Sequence, residues 1–222
     1  PIDESELRGI APNVATAIVP NGVDTEYFSP SVDGHEKAAI YTGGMNMYAN
    51  KDAVLYFLKE IWPSVLLEHP DAKFYAIGQD PPDELHEYAR REPSVVVTGY
   101  VDDVRPYVRK AAVYVVPLRV GGGTRLKVLD ALAQGKAIVS TSLGCEGISV
   151  TDARNIHIED APEGFAARVN ALFSNAEARR TLGTAARELA TSQYGWGAIG
   201  AGLQKVYEDM VRRKSGSGET PR

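Results

Sequence analysis

Short apolar runs alternate along this chain with longer runs of helical period. The apolar runs are AAIYTGG (38–44), AKFYAIG (72–78), SVVVTG (94–99), AVYVVPL (112–118) and KAIVST (136–141), with NIHIED (155–160) as a weaker last member. They are rich in Val, Ile and Ala and apolar at successive positions, as expected of strands buried on both faces of a sheet. Between them, apolar residues recur every three or four positions. Over 51–70, Val54, Leu55, Phe57, Leu58, Ile61 and Trp62 share one stripe. Pro63 is expected to kink or break that helix and Pro70 to end it. Further helices are predicted over 81–92, over 102–111 with an interruption at Pro106, and in the run that ends at Gly135. Beyond residue 160 the pattern is helical only (162–175, 176–194 and 195–213), before a polar tail, 214–222, expected to be disordered.

Strands alternating with helices predict an α/β fold, a Rossmann-like parallel sheet flanked by helices, with the sheet region spanning roughly 16 to 160. The 222 residues suffice for one large domain or two small ones, and 44 % hydrophobic against 24 % charged residues is ordinary for a globular protein. No run approaches the ~20 apolar residues of a membrane span. The opening PIDESELRGIAP is polar and acidic, unlike a signal peptide, and begins without methionine, which reads as a piece of a longer protein. A net charge of −5 weighs against nucleic acid as a partner, though not against a local basic pocket for a small phosphate ligand. Cys145 is the one cysteine, so an intramolecular disulfide and a thiolate metal cage are excluded, and a reducing, cytoplasmic setting fits. The four histidines, His35, His69, His86 and His157, form no zinc-hydrolase pattern, and no Asp-x-Asp pair is present to hold a divalent ion.

Ligands of open parallel sheets bind beyond the carboxyl ends of the strands, so the loops after the strands are where chemistry is sought. The most distinctive is RVGGGTRLK. Gly121, Gly122 and Gly123 let a ligand approach the backbone, and a turn there can aim successive N–H groups at an anion. Thr124 is expected to cap the following helix, with Arg125 at its first position. Arg125 and Lys127 stand at the helix end where cations are unfavourable, unless an anion lies between them and the N–H groups. The competing reading is a flexible turn with Lys127 paired to Asp130; composition alone leaves both open. The spacing matches neither a P-loop nor a dinucleotide fingerprint.

Asp130, near the strand ends, could accept hydrogen bonds from two ribose hydroxyls or could simply pair with Lys127. In TGYVDD, Gly99 ends a strand, Tyr100 and Val101 could form a slot for a base, and Asp102 is expected to cap the next helix; core packing is the alternative for Tyr100. Gly43 and Gly44 permit close approach after the first strand, and Asn46 and Asn50 are candidate donors there, with a helix cap as the other reading of Asn50. Glu146 in LGCEGI could bind sugar hydroxyls or be ordinary loop surface.

Together, IVPNGVDTEYFSP (18–30), YTGGM, FYAIG, VVVTGYVDDVRPYVRKAAVYVVPL and GGGTRLKVLDALAQGKAIVSTSLGCEGI resemble the carboxyl-terminal half of glycosyltransferase family 4 over about residues 13 to 211. The likeness is strongest to bacterial exopolysaccharide-type sugar transferases. It implies the carboxyl-terminal half of a GT-B fold, a retaining, metal-independent transferase, and no cofactor beyond a nucleoside diphosphate sugar as donor, a UDP-sugar first among them. It also implies a division into the end of an amino-terminal domain and linker (1–15), a nucleotide-sugar-binding domain (16–194), a crossover helix (195–213) and the tail.

By the same resemblance the base lies near Gly99, Tyr100 and Val101. The diphosphate lies near Gly43, Gly44 and Gly121 to Thr124, and the ribose on Asp130. Arg125, Lys127 and Glu146 take the catalytic positions, Glu146 toward the transferred sugar. The acceptor, a glycan or a lipid-linked sugar, would be held by an amino-terminal domain absent from this sequence, leaving the fragment inactive alone. The full-length enzyme would be cytoplasmic, with a peripheral position at the inner membrane face left open.

Three departures stand out. The first of the family's two acids, eight positions apart, falls at Gly122, the second is shortened to Asp130, and the arginine and lysine of the first strand's loop region are replaced by Gly44 and, approximately, Asn50. The phosphate charge must then come from Arg125, Lys127 or Lys51. A non-catalytic nucleotide-binding or sensing module is the rival reading; a dinucleotide-dependent oxidoreductase lacks its glycine motif.

Overall fold

The computed structural model describes residues 2–31 and 36–216. Six strands form one parallel sheet in the order β3-β2-β1-β4-β5-β6. They are β1 (Glu36–Thr42), β2 (Lys73–Ile77), β3 (Val95–Gly99), β4 (Ala111–Val116), β5 (Ala137–Ser140) and β6 (His157–Ile158). Every residue of the central strand β4 is buried, which is why its sequence shows no polar alternation. The sheet begins at Glu36, not near residue 16 as expected. Ahead of it, α1 (Ile2–Ile10) is a helix the sequence reading missed, followed by an extended segment.

That segment explains the PNGVD stretch. Val23 N–H donates to Tyr194 O at 2.7 Å, and Arg187 donates to the carbonyls of Thr25 and Phe28 at 2.8 and 2.9 Å. A Cβ on Gly22 would lie 2.6 Å from the Trp196 ring, so only glycine fits there. Asp24 Oδ1 accepts from the N–H groups of Glu26 and Tyr27 and fixes the turn between them.

The chain steps from β1 to β2 to β3 in one direction, then crosses to β4 and continues to β5 in the other. Right-handed crossovers therefore put the connecting helices on opposite faces. One face carries α2 (Tyr48–Tyr56), α3 (Trp62–Glu68) and α4 (Asp83–Arg91), joined by α7 (Pro162–Ser174). Phe57, Trp62, Phe74 and Phe165 form its aromatic centre. The other face carries α5 (Arg105–Lys110), α6 (Leu126–Ala133) and α8 (Ala176–Leu189).

Pro63 does not break the first long helix. The backbone widens into a π-turn over Phe57–Ile61, where Trp62 N–H reaches Phe57 O; this accommodates a residue that lacks an N–H and would clash with the carbonyl four residues back. Pro106 likewise starts α5 rather than interrupting it. A second π-turn over Ala190–Tyr194 leads from α8 to α9 (Trp196–Gly216). Residues 214–216, expected to be disordered, belong to that helix; 217–222 lie outside the described residues. Trp196, Leu203, Tyr207 and Met210 of α9 are exposed, as is Leu7 of α1. No helix among the described residues is long and apolar enough to cross a membrane.

Candidate functional site

The strand order reverses between β1 and β4, so the loops leaving these two neighbours diverge and open a crevice at the carboxyl edge. The β1 loop carries Gly43 and Gly44, and the β4 loop carries Gly121, Gly122, Gly123 and Thr124 and leads into α6. Both sets of glycines, with Lys127 and Asp130, therefore meet at this crevice. Gly43 packs directly on the β2 loop: a Cβ on Gly78 would lie 1.9 Å from Gly43 O. Gly78 N–H in turn donates to Gly99 O at 3.1 Å. The loop holding Gly99, Tyr100 and Val101 thus continues the same edge. The Tyr100 side chain is 71 % exposed, which overturns core packing for it.

Gly121 (φ +108°) and Gly123 (φ +85°) take left-handed conformations that β-carbons disfavour. Their loop is held by Arg125, whose side chain is only 7 % exposed. Its Nη2 and Nη1 donate to Gly121 O at 2.9 Å and Gly122 O at 3.0 Å, and its Nε donates to Leu143 O at 3.1 Å. In a trans peptide the N–H points opposite to the preceding C=O. With those two carbonyls turned toward Arg125, the N–H groups of Gly122 and Gly123 face away from it.

Two expectations fail here. Thr124 does not cap the helix: α6 begins at Leu126 with Arg125 in the cap position and no side-chain cap bond. Arg125 therefore precedes the first helical position instead of filling it. The physical reason is that the guanidinium has taken the loop carbonyls, which shapes the turn without a hydroxyl. Glu146 comes within 3.9 Å of Arg125 Nη2 from the loop after β5 and is part of this cluster.

Lys127 points back across the crevice instead of along its own helix. Its Nζ donates to Tyr41 OH at 2.6 Å and to Asn50 Oδ1 at 2.7 Å, and lies 4.1 Å from the centre of the Tyr41 ring. The competing reading, a Lys127–Asp130 pair, is absent among the described ion pairs. Burial, with Arg125 nearby, pushes the Lys127 ammonium down to about 7. A Cβ on Gly43 would lie 2.6 Å from Nζ, so the missing side chain of Gly43 makes room for the lysine. Asn50 is not a cap: it lies inside α2, where Met47 is the cap residue, and its Nδ2 donates to Gly44 O at 2.8 Å. Tyr41 completes the group by donating to Asn50 Oδ1 at 2.6 Å. The sequence reading missed Tyr41, which looks like one more apolar strand residue.

Asp130 is half-buried and burial raises its carboxyl to about 6. No described residue gives its side chain a hydrogen bond or a salt bridge. Its charge is felt by the buried Tyr114, whose hydroxyl pairs with Thr42 Oγ1 at the end of β1. Asp102 is not the helix cap either; Asp103 Oδ1 accepts from Arg105 N–H at 2.9 Å. Lys51 lines a separate cleft with Glu60 and Glu84. Among the described residues, no three His, Cys, Asp or Glu side chains are grouped to hold a metal ion.

The chain is 26 % identical over 200 residues to the phosphatidyl-myo-inositol mannosyltransferase of Mycolicibacterium smegmatis, a match covering 86 % of this chain and 51 % of that protein. It thus spans about half the length of this relative. Solved structures share its fold. Sucrose-phosphate synthase from Thermosynechococcus elongatus superposes with a TM-score of 0.75 at 19 % identity, over 95 % of this chain and 57 % of that one. Anabaena HepE in complex with UDP gives 0.74 at 14 % identity, over 95 % and 62 %. The carboxyl-terminal domain of a group 1 glycosyl transferase, LpcC, from Francisella tularensis gives 0.60 at 19 % identity, over 79 % of this chain and the whole of that one. The sheet flanked by helices is the Rossmann-like domain of GT-B glycosyltransferases. The family model for glycosyl transferases group 1 matches residues 36–175, from the first strand through the end of α7 and its cap, and the chain belongs to that family.

Proposed function

We propose that this chain is the donor-binding, carboxyl-terminal half of a retaining glycosyltransferase, holding a nucleoside diphosphate sugar at the β1/β4 crevice. One observation carries the reading: a buried cation, Lys127, and an unpartnered carboxylate, Asp130, lie one helical turn apart on α6 beside two glycine loops. A diphosphate needs the first and a ribose diol the second. The free N–H groups of Gly122 and Gly123 supply further donors to the diphosphate, as does the backbone near Gly43 and Gly44. A base stacks toward Tyr100 and Val101 on the same edge. UDP is the favoured nucleotide, in keeping with the HepE complex.

In the transfer, the bond between the anomeric carbon and the diphosphate oxygen breaks while one forms from that carbon to the acceptor hydroxyl oxygen on the same face; the hydroxyl proton passes to the departing diphosphate, on which negative charge grows. Lys127 and the loop N–H groups oppose that charge in a site of low dielectric, so no metal is required. Arg125 acts chiefly as a positioning residue, because its donors already hold the glycine loop and Leu143 O. Glu146, beside Arg125 and partly exposed, faces the transferred sugar. The acceptor belongs to the other half of the enzyme, so this chain alone binds donor and transfers nothing.

Titration calorimetry with UDP, GDP and ADP tests the reading. Saturable binding of one nucleoside diphosphate, lost in Lys127→Ala, is expected. Absence of binding by all three at millimolar concentration, or binding indifferent to Lys127, overturns it.

A further inference from the structure

A second group of cations lies at the opposite end of the sheet. A cavity of about 430 Å³ opens there between the starts of β4 and β5, the end of α5 and one face of α8. At about 3.3 Å per residue along the six-residue β4, it is separated from the glycine loops by roughly 20 Å. Arg109, Lys136, Arg179 and Arg187 line it; among the described residues Glu188 is the one lining acid, and it is exposed. Arg180, at its rim, is already paired with Glu177.

None of these four cations makes an ion pair with a described carboxylate. Arg187 satisfies carbonyls of Thr25, Phe28 and Ala133. Arg179 donates through Nη1 to Leu172 O and Phe173 O at the end of α7, while its buried Nε has no partner. Lys136 is 4 % exposed and spends one of its three protons on Ala111 O at 2.5 Å. Burial and the neighbouring Arg179 push its ammonium down to about 7. Arg109 makes no hydrogen bond or ion pair with any described residue, and its Nε is buried. Folding alone would place charged groups of one sign this close only at a loss. The cavity falls within the size range of small-ligand sites.

We infer that this cavity is a binding site for a small phosphate-bearing anion, distinct from the donor crevice, with Arg109, Lys136 and Arg179 as its principal donors. A phosphate oxygen accepts from Arg109 and the spare Lys136 protons. The arrangement suits a regulatory or stabilising ligand more than a substrate, because among the described residues no carboxylate, histidine or other base that could act on it is buried there.

The test is a titration of the ¹⁵N-labelled chain with inorganic pyrophosphate at constant ionic strength, followed by NMR. Amides at the two ends of the sheet report separately. The expected result is saturable shifts at Gly135, Ala137 and Gly183 and at the Arg109 side-chain Nε–H, weakened at least tenfold in Arg109→Gln. Because Arg109 makes no hydrogen bond or ion pair with a described residue, the unliganded variant should keep close to the wild-type Tm. Shifts confined to Gly43 and Gly121 to Gly123, non-saturating shifts at the lower cavity, or equal affinity in Arg109→Gln would each overturn the site.

Discussion

Lys127 and Asn50 meet across the β1/β4 crevice, with the lysine Nζ 2.7 Å from the asparagine Oδ1. A cation rooted in α6 thereby stands over α2, near the position where the resemblance to family 4 enzymes calls for a lysine. The charge is retained and its anchor has moved. Lys127→Ala should weaken UDP binding about 10- to 100-fold, the range of a charge-assisted hydrogen bond in a buried site. Adding Asn50→Lys to that variant should recover most of the loss, because its ammonium can reach the same space. Calorimetry on the single and double variants decides the matter; a double variant as weak as Lys127→Ala would mean that the crevice requires the α6 anchor itself.

The buried lysines also set how stability responds to pH. Lys127 and Lys136 both titrate near 7 in the folded chain, against 10.5 in the open chain. Between those values the unfolded chain holds more protons, so stability rises with pH from about 7 toward 10, at about 1.4 kcal/mol per pH unit for each lysine. Asp130 works oppositely at lower pH: its carboxyl, raised to about 6 from 3.8, makes the folded chain lose stability as pH climbs through that window. The Tm should therefore increase from pH 7 to pH 9, and Lys127→Met should flatten the increase. A Tm equal at the two pH values in the wild-type chain would show that these ammonium groups are not desolvated.

The alternating apolar runs made the sheet and its flanking helices legible, because strands buried on both faces and amphipathic helices leave different periods. What the sequence concealed depends on contacts between distant positions. Nothing near Lys127 announces that its partners are Tyr41 and Asn50, 86 and 77 residues away. The expected cap at Thr124 failed because Arg125 took over the loop, and Asp102 does not cap α5, where Val104 is the cap residue and the neighbouring Asp103 accepts from Arg105 N–H. The π-turn before Pro63 was invisible because proline rules foresee a break, whereas Trp62 and Phe57, buried in the aromatic centre, hold the helix on course. The glycine-rich loop was legible as a turn, and Gly121 and Gly123 take the left-handed conformations there that glycine alone adopts readily.

The half-buried Asp130 carboxylate accepts a hydrogen bond from no described residue, and the proposed donor site gives it a ribose diol. An incoming ribose would satisfy it, so Asp130→Ala should weaken UDP binding about 10-fold or more. The same substitution should leave the binding of 2′,3′-dideoxyuridine diphosphate nearly unchanged, since that ligand brings no diol. Asp130→Glu restores the side-chain length implied by the family resemblance and should bind UDP at least as well as the wild-type chain. The affinities of the wild-type chain and Asp130→Ala for the two ligands form a double-mutant cycle. A loss of equal size for both ligands would show that Asp130 supports the loop and does not contact the ribose.

Two glycines in contact should respond to the same substitution in different ways. A Cβ on Gly43 would meet the flexible end of Lys127 at 2.6 Å, which can be pushed aside, whereas a Cβ on Gly78 would strike Gly43 O, a backbone atom, at 1.9 Å. Gly78→Ala must move one strand end against its neighbour, an overpacking that costs about 1–3 kcal/mol. Gly43→Ala is strained too, by its φ of +157° and by Asn50 Nδ2 at 3.0 Å, but it meets side chains and no backbone atom, so it should cost less than Gly78→Ala while removing the ammonium from the diphosphate position. The expected outcome is a strongly lowered denaturation midpoint for Gly78→Ala with residual UDP binding, and a smaller drop for Gly43→Ala with binding reduced as far as in Lys127→Ala. If Gly43→Ala bound UDP normally, the lysine would not need the space that Gly43 leaves open, and the diphosphate would have to be held by the glycine loop N–H groups alone.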